Sequence, residues 1–165
     1  MPHSTVIAPY PFYYTLTGRF GRLNYLNALW QIQLLSLIFL ICGFLITSAM
    51  SASKWEAFVF LLGLMLPFLL LLIRAAILRL HDLNLSGLWS LGLLLIFVPA
   101  GILIVSMIHL LLTILPGSVV ENHYGKPSRQ GSIIGVILAF LTFLGAFYVF
   151  GMLFGMAYLS PNISF

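Results

Sequence analysis

Apolar and polar residues come in long blocks along this chain rather than in fine alternation. Four apolar runs stand out, at Tyr25–Ala49, Trp55 to about Ile73, Leu88–Leu115 and Ile133–Leu159. Each is too long and too uniformly apolar for the stripe of a surface helix. About 20 helical residues cover the hydrocarbon core of a bilayer, so each run is long enough, or nearly so, to cross one. The pattern predicts an all-α polytopic transmembrane bundle, with four spans as the leading arrangement.

The third run qualifies that reading. It has 28 residues and as one helix would be about 42 Å long, well beyond a core of about 30 Å. Pro99-Ala100-Gly101 interrupts it near the middle. It is read either as one tilted, kinked span or as a re-entrant hairpin turning at Pro99–Gly101. The hairpin alternative leaves three spans. The second run carries Pro67, which a membrane helix tolerates, usually with a kink. Residues 24–160 are therefore read as one transmembrane domain. An interfacial or cytoplasmic segment, 1–23, precedes it and a short tail, 161–165, follows. Tyr10, Phe12, Tyr13 and Tyr14 cluster in the first segment, where aromatic rings favour the membrane–water interface. No basic n-region with a following h-region is present there, so no signal peptide is expected.

Composition supports the membrane reading. Of 165 residues, 62% are hydrophobic and 6% charged, against about 45–50% and about 25% in soluble domains. The formal net charge of +4 sits at the ends of apolar runs rather than on a polar face. It points to anionic headgroups and not to nucleic acid. Cys42, the only cysteine, lies within an apolar run and cannot form an intramolecular disulfide.

Lysine and arginine near span ends favour the cytoplasm. With four spans and a cytoplasmic N-terminus, Arg19, Arg22, Arg74 and Arg79 face in while Lys54, Lys126 and Arg129 face out, a weak four-to-three bias. A re-entrant third run brings Lys126 and Arg129 inside and makes the bias six to one. Charge thus favours the hairpin. Length opposes it, because each arm would have only about 11–16 residues and irregular backbone at that depth must be shielded by protein.

Three stretches together resemble the DUF805 family of small bacterial inner-membrane proteins. Gly18-Arg19-Phe20-Gly21-Arg22-Leu23-Asn24-Tyr25 is similar to the family's GRxxRxxYW entry to the first helix. Arg79-Leu80-His81-Asp82-Leu83-Asn84-Leu85-Ser86-Gly87-Leu88-Trp89 is similar to RRLHDxxxSGWW. Asn122-His123-Tyr124-Gly125-Lys126-Pro127 is similar to a late NxYGxxP motif. Leu26, Leu78 and Leu88 replace usual family residues, and the proline after Tyr124-Gly125 comes one residue early. The resemblance covers about residues 18–128. It implies a location in the bacterial inner (plasma) membrane and supplies no activity; the multi-pass reading rests on the apolar runs and the expected cytoplasmic N-terminus on the placement of Arg19 and Arg22.

The chemistry-bearing candidates gather at the ends of the runs. Arg19, Arg22, Arg74, Arg79, His81 and Asp82 form a candidate polar cluster at the cytoplasmic edge. If the second helix continues that far, Arg79 and Asp82 share a face. Asp82 paired with Arg19 or Arg22 would clasp two helix ends, and the cluster offers a place for an anionic headgroup or a partner. Asn122, Tyr124 and Gly125 read as a turn, since Asn and Gly adopt turn conformations readily. Gly131 with Gly135, and Gly151 with Gly155, have the spacing that lets helices approach closely in lipid. They are read first as packing within the bundle, with a homo-oligomer as the other use. His109 is read as an interfacial or packed histidine.

Enzymatic chemistry is not expected. The four histidines and one cysteine lack spacing for a metal site, no nucleophile elbow or phosphate loop is present, and Glu56, Asp82 and Glu121 are the only acids. No cofactor is implied. The leading expectation is a non-enzymatic membrane bundle whose partners are lipids. The alternative is a small transporter or channel component using His81 and Asp82, which would want polar groups lining a path through the spans.

Overall fold

The computed structural model describes residues 16–50, 53–98, 100–128 and 131–159. Most of the aromatic N-terminal segment, the tail 161–165, Pro99 and Arg129 lie outside the described residues. These contain five helices and no strand: α1 (Arg22–Ala49), α2 (Lys54–Asp82), a 3₁₀ helix (Gly87–Phe97), α3 (Gly101–Ile114) and α4 (Ile133–Leu159). Two helical stretches, Arg22–Ala49 and Trp55–Asp82, are long and apolar enough to cross a membrane.

α1 and α2 form an antiparallel pair. Near the start of α1, the Phe20 amide donates to the Leu78 carbonyl of α2 at 2.9 Å. Further along, Phe39 meets Phe68 edge-on with ring centroids 5.2 Å apart. At Gly43 a Cβ would fall 2.8 Å from Leu61 Cδ2 and 3.0 Å from Leu64 Cδ2, so the two helices pack closely here. α2 opens with a capping box, in which Ser53 Oγ accepts from the Glu56 amide and the Glu56 carboxylate accepts from the Ser53 amide. It continues through Pro67 and past Arg74 to Asp82, beyond the boundary near Ile73 expected from hydropathy. Asn84 (φ 60°) then turns the chain, two residues before the Ser86–Gly87 turn expected from sequence.

The single kinked helix expected over Leu88–Leu115 does not form. A 3₁₀ helix and α3 replace it, and they fold back on each other. At the bend the Gly101 amide donates to the Val98 carbonyl at 2.7 Å. Here glycine is required by contact: a Cβ on Gly101 would fall 1.5 Å from the Leu95 carbonyl oxygen. Between the arms, a Cβ on Gly92 would meet Ile108 Cδ1 at 3.3 Å. Both ends of the run return to the end of α2. Gly87 lies against Ile77 and His81, while Arg79 bonds the carbonyls of Leu112 and Leu115.

α4 then starts beside the start of α1, where a Cβ on Gly131 would fall 2.5 Å from Asn24 Oδ1. Trp30 of α1 packs on Phe140 and Phe143, with centroids 4.7 and 5.4 Å apart. α4 therefore runs parallel to α1. An up-and-down bundle of four crossings would set these two helices antiparallel.

Burial is inverted relative to a water-soluble protein. Arg19, Asn24, Arg79 and Asp82 are each at most 4% exposed, whereas Leu70, Leu103 and Phe147 are more than half exposed. The packed core, which includes Phe20, Tyr25, Ala76, Leu78, Leu93 and Leu112, gathers beside the arginine-rich end.

Candidate functional site

The site is built where the segment before α1, the end of α2 and the loop after α3 meet. Asp82, on the last turn of α2, is its centre. Arg19 reaches one carboxylate oxygen, Oδ1, through Nε (3.1 Å) and Nη2 (2.8 Å). Arg79, three residues earlier on the same helix face, donates to the other, Oδ2, through Nη1. One carboxylate is thus gripped by two guanidinium groups from different segments, all of them buried.

Both arginines also bind backbone carbonyls. Arg19 Nη1 donates to Val120 O (2.8 Å) and Gly125 O (2.9 Å), and Nη2 donates to both the carbonyl and the hydroxyl oxygen of Ser118. All five N–H groups of a guanidinium can find acceptors in this arrangement. Arg79 Nε donates to Leu112 O (2.7 Å), Nη1 to Phe20 O (3.2 Å) and Nη2 to Leu115 O. The carbonyls of Leu112 and Leu115 belong to the end of α3, where a helix leaves such groups unsatisfied within itself, and that of Phe20 to the segment before α1. Ser118 donates its amide to the Asp82 carbonyl at 2.9 Å. Among the described residues no buried side-chain nitrogen or oxygen lacks a hydrogen-bond partner.

His81 faces the same strap. Its ring lies flat on Tyr124, with centroids 3.9 Å apart and planes 5° apart. Nδ1 lies 3.2 Å from Gly18 O, which can accept a hydrogen bond from it, and Asn122 Nδ2 donates to the His81 carbonyl at 2.9 Å. The strap itself turns tightly. Asn122 and Gly125 exchange backbone hydrogen bonds of 3.1 and 2.9 Å, Asn122 Oδ1 accepts from the Tyr124 amide, and Gly125 takes φ 106°. Ser128 Oγ accepts from the Gly21 amide (3.1 Å) and from Asn24 Nδ2 (3.2 Å). All three motif stretches therefore lie at one end of the molecule.

Not every candidate grips Asp82. Arg22 remains exposed on the first turn of α1. Arg74 sits one turn back on α2, its guanidinium 5.8 Å from the centroid of Phe20. Of the glycine pairs, Gly131 and Gly135 lie against Asn24 and Asn27 of α1, whereas Gly151 and Gly155 have nothing within 4 Å among the described residues. His109 is not isolated: its Nδ1 is hydrogen-bonded to the hydroxyl of Tyr25, which is fully buried.

Sequence reasoning missed Gly117 and Ser118, which carry the strap across Asp82, and the Tyr25–His109 pair. The closeness of Gly117 to a residue 35 positions earlier has no local signature.

A family model described as "Protein of unknown function (DUF805)" matches residues 13–126, about two thirds of the chain and all of the bond network up to Gly125. The chain belongs to this family. No curated protein and no solved structure matches it significantly. In this DUF805 member the family-like residues Arg19, Arg79, His81, Asp82, Asn122, Tyr124 and Gly125 are brought into one contiguous cluster. α4 lies outside the matched stretch and packs along α1.

Proposed function

We propose that this DUF805 protein is a non-enzymatic, multi-pass protein of the bacterial inner membrane. It crosses three times, through α1, α2 and α4, and its third apolar run forms a re-entrant hairpin. The cluster around Asp82 is a clasp that closes the cytoplasmic edge. The observation that carries this reading is the engagement of all five N–H groups of Arg19, and four of those of Arg79, by Asp82, Ser118 and backbone carbonyls. Guanidinium groups so engaged within the chain hold segments together.

The hairpin is supported by the return of both its ends to α2, and three crossings by the parallel course of α1 and α4. The arrangement also collects Arg19, Arg22, Arg74, Arg79 and Lys126 at one edge, as the positive-inside rule favours. Exposed leucine, isoleucine and phenylalanine along the helices suit lipid rather than water.

Topology mapping tests this. In a Cys42→Ser background, a cysteine at position 126 should react with thiol reagents from the cytoplasmic side, and a reporter at the C-terminus should face the periplasm. An external position 126 with a cytoplasmic C-terminus would return the protein to four crossings.

A further inference from the structure

The clasp leaves its edge of the molecule with an unbalanced charge. Among the described residues five basic side chains belong to this edge, each tied to it by position. Arg19 and Arg79 grip Asp82. Arg22 opens α1 three residues after Arg19, Arg74 reaches over Phe20, and Lys126 adjoins Gly125, whose carbonyl Arg19 binds. Only two acidic side chains stand against them, Asp82 and Glu121, an excess of three positive charges. The sole remaining acid, Glu56, is at the opposite end of α2 in the capping box. No further acidic side chain exists in the sequence. Hydrogen bonds to carbonyls can satisfy the donors of these side chains, but they cannot neutralise their charge.

We infer that this edge binds anionic phospholipid headgroups through the rim residues Arg22, Arg74 and Lys126, not through the buried Arg19 and Arg79. The inference rests on the three-crossing reading, which places the rim at the level of the cytoplasmic headgroups, and it divides the arginines into two jobs. Arg19 and Arg79 are sealed and hold the fold. Arg22 and Lys126 are exposed and Arg74 is half-buried, each on a different segment of one edge. Phosphate groups of anionic lipids supply the missing negative charge, and basic residues at such a surface each strengthen the attraction.

The test compares lipids differing only in headgroup charge. Delipidated protein is titrated with short-chain phosphatidylglycerol, phosphatidylcholine or inorganic phosphate, and bound lipid is followed by native mass spectrometry. Phosphatidylglycerol should bind about tenfold or more tightly than phosphatidylcholine, and the preference should shrink as salt rises. Inorganic phosphate, lacking the acyl chains, should not compete at matched concentration. The triple variant Arg22→Gln/Arg74→Gln/Lys126→Gln should lose the preference. The single variants Arg22→Gln and Lys126→Gln, at exposed positions, should each weaken it while melting as the parent does. Equal binding of the two lipids, competition by phosphate alone, or an undiminished preference in the singles and the triple would overturn the inference. Failure of the underlying topology is distinguishable: cysteines at positions 22 and 126 would then label from opposite sides of the membrane, and the rim would not be one surface.

Discussion

Gly117 presses so closely on Asp82 that a Cβ added to it would fall 1.7 Å from the carboxylate Oδ2 and 3.0 Å from Arg79 Nη1. The strap after α3 can cross the ion pair only because this position carries no side chain. The loop and the carboxylate are therefore one structural unit, although they are far apart in sequence.

Gly117→Ala should consequently destabilise the protein by displacing the carboxylate from the two guanidinium groups. The loss should approach that of Asp82→Asn in detergent melting. Gly151→Ala, placed where nothing lies within 4 Å among the described residues, should change melting little, within about 0.5 kcal/mol.

Removing one partner of the clasp strands buried charge. Asp82→Ala and Arg79→Ala should each cost about 3–5 kcal/mol, seen as a large fall in melting temperature of the purified protein. Arg79→Lys should rescue little of this, because an ammonium cannot reproduce a fork that reaches Asp82, Phe20 O, Leu112 O and Leu115 O together. Unchanged melting for both alanine variants would remove the clasp from the account.

The Tyr25–His109 hydrogen bond joins α1 to the returning arm of the third run. Tyr25→Phe removes the hydroxyl from a fully buried position and should cost about 1–3 kcal/mol. His109→Ala should show strong coupling with it in a double-mutant cycle, since both variants break the same bond. Additive losses would mean that the two residues contribute independently.

Much of this was legible in the sequence, and the limits have physical causes. The apolar runs marked the helices because lipid demands long uninterrupted stretches. The first two motifs could be suspected of forming one edge, since Arg79 and Asp82 are three apart on a helix and charge at span ends needs partners, whereas the four-span arrangement put the Asn122–Pro127 motif on the other side. Whether Leu88–Leu115 crosses or returns could not be read from hydropathy, which is the same for both. The charge bias pointed to the hairpin and run length to a span. The balance is tipped by packing: Gly101 permits contact with the Leu95 carbonyl, and the buried Arg79 satisfies the carbonyls at the end of α3. Such long-range satisfaction of backbone groups leaves no periodic trace. The apolar run ends near Ile73, but the helix continues through Arg74, whose side chain lies over Phe20, to Asp82.

The central claim is that the third run folds back, and cross-linking its arms tests this most directly. Gly92→Cys and Ile108→Cys are introduced together in a Cys42→Ser background, in membranes, and treated with a short bifunctional thiol reagent. The hairpin puts these positions side by side, with a Cβ at Gly92 3.3 Å from Ile108 Cδ1, and predicts efficient intramolecular cross-linking. In one continuous helix they would be about 24 Å apart, beyond the reagent's reach. Absence of the cross-link, with both cysteines reactive after denaturation, would contradict the hairpin and the single-edge site built on it.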